Sequence, residues 1–470
     1  MEPMVQEMDW PSPGVLASWV GQKPHRLWFD SALAGHAHSQ VSILTGDPLA
    51  RLVVEAGGEA WAIQDNIKDK LSDPWATLET WLGTIPAADC QGEGFWGGLV
   101  GFRSYESYGD EFKFKPRRVD PGLPSVYFLF VDTGLRLDHR TQRAQIFSWG
   151  LNQVGGKPSK SIARQRCEAL AGELETIPKA KPMDAMDSPI EIKCLEEKSR
   201  YLKKVGKIRE AIFAGDFYQV NLSHKFQVQG AFLAPELYLK LRKISSAPQM
   251  AFVNLGDCQI LSASPEILLE TDQGTVGSYP IKGTRPRNFS ESSDQVQGEA
   301  LLDSEKDGAE LLMIVDLVRN DLGKVCQVGS IRVPQLKYLD SFPQVHHLVS
   351  CVEGRLAKGA TPLMALNVLF PGGSITGAPK LKAMEWINEL EDHPRGIYTG
   401  SIGYVSFNQS SCFNIAIRTA VLREGSLEYH AGGGIVADSD PEAEYQETLD
   451  KTLGFLQALD KGFEDIQCQD

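Results

Sequence analysis

The carboxylates best placed to do chemistry in this chain come in pairs at helical spacing, on two separate segments. In SEKDGAELLMIVDLVRNDLG, Ser304 reads as an N-cap with Asp307 three residues on, a capping-box pattern that fixes the helix start. Asp307 and Glu310 then share a face. Ile314 and Leu317 put Glu310 on the margin of the apolar stripe, where a carboxylate needs a partner. ADSDPEAEYQETLDKTLGFL repeats the device: Asp440 caps, Pro441 fits the first helical position, and Glu444, Glu447 and Lys451 fall on one stripe. Two readings are open. The acids of both helices could close on a hard divalent cation such as Mg2+, which takes one or two protein carboxylates, keeps waters and leaves room for an anion. Alternatively, Glu442 and Glu444 merely favour a helix N-terminus while Glu447 pairs with Lys451 on a solvated face.

PGGSITGAPK (371–380) and AGGGIVADSDP (431–441) each read as a Gly-rich loop feeding a helix start, which makes either an anion cradle or an empty tight turn. The first is not a Walker A motif, because Ala378 and Pro379 stand where Lys and Ser/Thr are required, and this disfavours ATP. Glu266, in SASPEILL, is flanked by Pro265, Ile267 and Leu268. Desolvation among them would raise its pKa, whereas a Glu at an exposed strand end would simply be solvated.

The elements that must position these groups fall into two segments. Residues 1–177 alternate short apolar strands with Gly/Pro turns, as in 94–112 and 125–139, and close with a helix, SIARQRCEALAGELETI. Residues 178–193 are rich in Pro, Lys and Asp, lack apolar periodicity and read as a linker. Residues 194–460 open with the helix EKSRYLKKVGKIREAIFAGD and mix strands with amphipathic helices, leaving 461–470 as a tail. Strand clusters broken by helices predict a layered α+β architecture rather than regular βαβ alternation.

Composition narrows the partners. With 61 acidic against 47 basic residues the net charge is −14, which argues against nucleic acid or an anionic membrane. The start, MEPMVQEMDW, has no apolar signal region, and no apolar run reaches the ~18 residues of a membrane span, so a cytoplasmic protein is expected. The eight cysteines lack any CxxC or Cys/His metal spacing and read as reduced thiols.

Taken together, SASPEILL, YPIKGTRPR, EKDGAELLMIVDLVRNDL, PGGSITGAPK, GIYTGSIGY, AIRTA and AGGGIVADSDPEAEYQET resemble the successive signature blocks of the chorismate-utilising enzymes. The resemblance is dense over roughly residues 190 to 460 and looser before. It implies the α/β/β/α layered sandwich of anthranilate synthase component I, with the active site between the sheets and Mg2+ on the ring carboxylate of chorismate. By resemblance, the metal ligands are Glu310 and Glu447, supported by Asp307 and Glu444. Tyr398 and Arg418 are expected to hold the enolpyruvyl carboxylate with Gly432, Gly433, Gly434 and Lys451, a task suited to the planar fork of Arg. Thr284 and His347 are expected around the ring, with a core role for His347 also open. Glu266 corresponds to the general acid that protonates the departing C4 hydroxyl.

Two positions separate branches of the family. The water-adding members resemble one another in using a Lys base where DFYQVNLS carries Gln219, and a Gln cannot serve as a base. Anthranilate synthase has Ala where the PIKGT block carries Lys282, and that lysine resembles the branch that aminates chorismate at C4. The implied mechanism is covalent: Lys282 attacks C2, ammonia then attacks C4, and 4-amino-4-deoxychorismate leaves for 4-aminobenzoate and folate synthesis. No Cys has the GxCxG setting of a glutamine amidotransferase, so the ammonia is expected from a partner glutaminase. The alternative is anthranilate synthase component I itself. Related enzymes also bind tryptophan in an N-terminal-domain pocket; LWFDSA (27–32) stands where one wall is expected and departs from the LLES-type pattern of inhibited members.

Overall fold

Runs of aromatic and β-branched residues such as VYFLFV (126–131) and QMAFVN (249–254) form strands buried on both faces, and these pair into two large sheets. The computed structural model describes residues 2–468 other than 34, 88, 89, 91–93, 109–111, 113, 182–189, 288–290 and 343. Among these, the sheets have 13 and 12 strands and are antiparallel except where Ile466–Cys468 adds alongside Glu191–Cys194.

Both segments contribute to both sheets. In the first, Arg26–Asp30 pairs with Gln249–Asn254; in the second, Gly98–Arg103 pairs with Ser401–Ser406. The part of the 178–193 stretch that spans 182–189 lies outside the described residues. Between the sheets lies an apolar layer that includes Leu27, Ile43, Val100, Phe102, Leu129 and Val253. The outer face of the first sheet is covered by helices Pro13–Gln22, Lys160–Thr176 and Ala234–Ile244, through residues such as Trp19, Leu170 and Leu237. Helices Pro74–Leu82, Glu305–Leu322 and Pro362–Leu369 cover the second, through Leu78, Ile314 and Leu366. Helix, sheet, sheet, helix is the layer order. Among the described residues no helix is long and apolar enough to cross a membrane.

Candidate active site

The first sheet brings the strand Gln219–Gln229 against Ser426–Ile435, with Asn221 opposite Gly434 and Leu222 opposite Gly433. Gly432, Gly433 and Gly434 therefore lie within a strand, which corrects the expectation of a loop. Their lack of side chains is used. A Cβ on Gly433 would stand 3.1 Å from Glu444 Oε2 and 3.6 Å from Glu447 Oε1; one on Gly434 would stand 2.0 Å from Gln219 Nε2 and 3.3 Å from Lys282 Nζ. The helix Pro441–Asp450 starts where the sequence predicts, with Asp440 accepting from Ala443 N and Pro441 in the first turn.

Facing this strand pair is the second sheet's edge, Ile281–Pro286, which carries Lys282. Along this strand the alternation of side chains is interrupted between Lys282 and Thr284 by a register shift at Gly283. Gly283 has φ +76°, and a Cβ there would lie 2.9 Å from Asp307 Cγ, so only glycine lets this edge approach the helix Glu305–Leu322. That helix begins as expected, with Ser304 accepting from Asp307 N.

Glu266 occupies the corner before the strand Ile267–Asp272, 3% exposed. Its Oε1 accepts from Ser374 Oγ at 2.6 Å and from Ile281 N at 3.3 Å, and burial pushes its pKa up to about 7. A carboxyl poised there can carry a proton at neutral pH. Lys282 Nζ donates to the Ser374 carbonyl at 3.0 Å; burial lowers its pKa, while the negative charge of Glu310 works against that shift. Ser374 thus touches both groups, the acid through its hydroxyl and the amine through its carbonyl.

The acids do not form a closed cage. Among the described residues no three Asp, Glu, His or Cys side chains converge as a metal-binding group. Asp307 pairs with Arg285 at 3.0 Å, Glu444 accepts from Ser439 Oγ at 2.5 Å, and Glu447 pairs with Lys451 at 2.7 Å, the contact expected of a solvated face. Lys451 also donates to Gly432 O at 2.9 Å. Glu310 is different: it is half-buried with no hydrogen bond or ion pair among the described residues. Burial raises its pKa; the charges of Lys282 and Lys306 work against that shift, and those of Asp307 and Glu447 add to it. One orphaned carboxylate facing a second across the cleft fits a hard divalent cation, which needs only one or two protein carboxylates.

The cations complete the picture. Arg418, with φ +49°, is half-buried and its guanidinium has no partner among the described residues, so burial lowers its pKa. Tyr398, 5% exposed, stacks on His430 at 5.3 Å between ring centres, and its phenol stays protonated because burial raises its pKa. His347 is 3% exposed; its Nδ1 lies 2.9 Å from Thr284 Oγ1 and its Nε2 has no partner, while burial pushes its pKa down to about 3, so the ring is neutral. The arrangement offers an unpaired guanidinium and a lysine for the negative groups of a ligand, with an acid at neutral poise beside them.

The family described as chorismate binding enzyme matches residues 32–457. The chain belongs to that family. It is 35% identical over 445 residues to aminodeoxychorismate synthase component 1 of Klebsiella aerogenes, covering 94% of this chain and 95% of the relative. To the aminodeoxychorismate synthase of Streptomyces griseus it is 34% identical over 458 residues, 93% of this chain, and it spans only 61% of that longer relative. The crystal structure of anthranilate synthase component I from Streptococcus pneumoniae superposes with a TM-score of 0.78 at 30% identity, covering 88% of this chain and 92% of that one. The layered fold expected from the signature blocks is borne out, and this chorismate binding chain is an enzyme of that family.

Three groups at the site carried no separate signal in the sequence. Ser374 lies in PGGSITGAPK, where the glycines alone carry a local signal. Asn221 sits two residues beyond Gln219. Arg395, 3% exposed, grips Glu391 through two 2.8 Å bonds and donates to Ile375 O, Asn221 O and Thr399 Oγ1, tying Ser374's loop to the Gln219 strand. A separate cavity of about 390 Å3 between the sheets is lined by Phe29, Asp30, Ser31, Met250, Tyr404 and Asn414.

Proposed function

We propose that the chain aminates chorismate at C4 to give 4-amino-4-deoxychorismate, feeding 4-aminobenzoate and folate synthesis in the cytoplasm. The carrying observation is the joint placement of Lys282 and Glu266, an amine with lowered pKa and a carboxyl near 7 bridged by Ser374. Lys282 attacks C2 of the ring as the C4 hydroxyl departs as water with the Glu266 proton. Ammonia then bonds to C4 and the C2–N bond breaks, returning the lysine as a free amine. Glu310 and Glu447 are the residues to hold Mg2+. That ion would neutralise the ring carboxylate and orient the ring. Arg418 and Tyr398, with Gly432, Gly433, Gly434 and Lys451, receive the enolpyruvyl carboxylate, while Thr284 and His347 border the ring.

The name "component 1" carried by the Klebsiella relative supports a second component, which we assign as a glutamine amidotransferase supplying ammonia. Addition at C2, as in anthranilate synthase, is the second reading; it leaves Lys282 without a task.

The test uses the purified chain with chorismate, Mg2+ and either an ammonium salt or glutamine. Ammonium should yield the 4-amino product, identified by NMR, and glutamine alone should yield none. A 2-amino product would establish the anthranilate reading, and turnover with glutamine alone would remove the separate amidotransferase.

A further inference from the structure

Thr399, the residue after Tyr398, is buried and has φ +60°. A β-branched side chain is rarely found there, because Cβ crowds the carbonyl oxygen that follows; the conformation persists only where surrounding contacts fix it. Those contacts are present. The Thr399 hydroxyl donates to Tyr398 O at 2.6 Å and accepts from Arg395 Nη1 at 3.2 Å. On the near side of the turn, the Glu106 carboxylate accepts from the amides of Arg395 at 2.7 Å and Gly396 at 3.0 Å, and Tyr398 N donates to Arg395 O at 3.0 Å. On the far side, Thr399 N donates to Ala416 O at 2.8 Å and Ala416 N to Gly400 O at 2.9 Å. Ala416 stands two residues before Arg418, which is itself held at φ +49°. The ring of Tyr398 lies within 11° of parallel to that of His430. The backbone turn is therefore what fixes how the phenol stands relative to the guanidinium.

We propose that Thr399, locked by Arg395, is a positioning residue whose strained turn sets the Tyr398 phenol at the spacing from Arg418 that one carboxylate can span. This rests on the reading above that gives Tyr398 and Arg418 to the enolpyruvyl carboxylate, and adds what holds the two together. A hydroxyl and a guanidinium that grip the same carboxylate must both be placed within about 0.5 Å of the productive geometry. A glycine at 399 would reach this φ without crowding, but it would have no hydroxyl for Arg395 to hold and the turn would be loose. Threonine lowers the stability of the folded chain and in return leaves the grip preformed, so that the ligand does not have to order the turn on binding.

Thr399→Gly keeps the backbone conformation accessible and removes the lock. With ammonium and Mg2+ supplied, it should raise KM for chorismate about fivefold, the worth of one neutral hydrogen bond. Its kcat should stay within about twofold, because a carboxylate that takes no part in bond making is held equally in the ground and transition states. Thr399→Ser, which keeps the hydroxyl, should return KM to within about twofold of the wild type. The lock acts through the phenol, so Thr399→Gly placed in a Tyr398→Phe background should raise KM no further. An unchanged KM in Thr399→Gly, or a full additional rise on top of Tyr398→Phe, would overturn the positioning role while leaving Tyr398 in its place. Should Thr399→Gly fail to fold, Thr399→Ala, which also lacks the hydroxyl, makes the same comparison. A Tyr398→Phe enzyme with the wild-type KM would instead overturn the assignment of Tyr398 to the carboxylate, and the positioning role with it.

Discussion

Ser374 Oγ donates a 2.6 Å hydrogen bond to Glu266 Oε1, and it is this bond that limits how far burial can raise the acid. Burial alone favours the protonated carboxyl, while a hydroxyl donating to the ionised form favours the carboxylate. The carbonyl of the same serine accepts from Lys282, so replacing the side chain leaves the amine's contact in place.

Ser374→Ala should therefore raise the Glu266 pKa further. Acid catalysis by Glu266 needs its protonated form and attack by Lys282 its neutral form, so the kcat/KM profile for chorismate should have two limbs, one of them set by Glu266 near pH 7. In Ser374→Ala that limb should move up by about one pH unit, the worth of a hydrogen bond to a charged group. The limb set by Lys282 should stay where it is. Profiles taken at a fixed concentration of free ammonia check this, and a limb near pH 7 that stays put or moves to lower pH would separate Ser374 from the acid.

Glu310 should show the signature of a residue kept for function at the expense of stability. Its half-buried carboxylate has no hydrogen bond or ion pair among the described residues, and burial outweighs the favourable charges of Lys282 and Lys306, so that its ionisation is opposed on balance. Glu310→Gln keeps the shape and removes the charge, so thermal unfolding should occur at the same temperature or slightly higher. Turnover should fall by at least about a hundredfold if this carboxylate holds the metal. The wild type in excess EDTA should lose activity and regain it with added Mg2+. Full activity in EDTA, or an active Glu310→Gln enzyme, would leave the orphaned carboxylate without a metal to hold.

What the sequence reveals here is what local chemistry determines. Ser304 and Asp440 cap their helices because a cap needs only the next three residues, and both are found as expected. Glu266 is buried as its apolar neighbours imply. The misreadings concern long-range pairing. Gly432, Gly433 and Gly434 look like a loop until Ser223, Leu222 and Asn221 pair with them, more than 200 residues earlier in the chain. The shift at Gly283 follows from the approach of a helix that the PIKGT block does not contain. Ser374 likewise meets Lys282 and Glu266 only through the fold, 92 and 108 residues away. A serine in a glycine-rich stretch carries no mark of such contacts.

Lys282 gives the sharpest prediction, because the choice of reaction depends on it. An exposed lysine with a pKa near 10.4 is neutral in only ~0.04% of molecules at pH 7. Burial favours the neutral amine, although the nearby charges of Glu310, Glu266 and Glu447 work in the opposite direction. The net shift is downward, which raises the fraction able to attack. Chorismate given without ammonia should then become transiently attached to the chain. Intact-protein mass spectrometry after an acid quench should detect the added mass in the wild type and not in Lys282→Ala, and peptide mapping should place it on Lys282. Removing a buried cation also relieves its desolvation, so Lys282→Ala should fold at least as well as the wild type and its failure would be chemical. With ammonium present the variant should lose at least about a hundredfold in 4-amino product, and any residual amination should shift toward C2, where the lysine no longer competes. A Lys282→Ala enzyme that still makes 4-amino-4-deoxychorismate at the wild-type rate would remove the covalent step. Ammonia would then have to reach C4 unaided, and the lysine would be left as a counter-charge to Glu310.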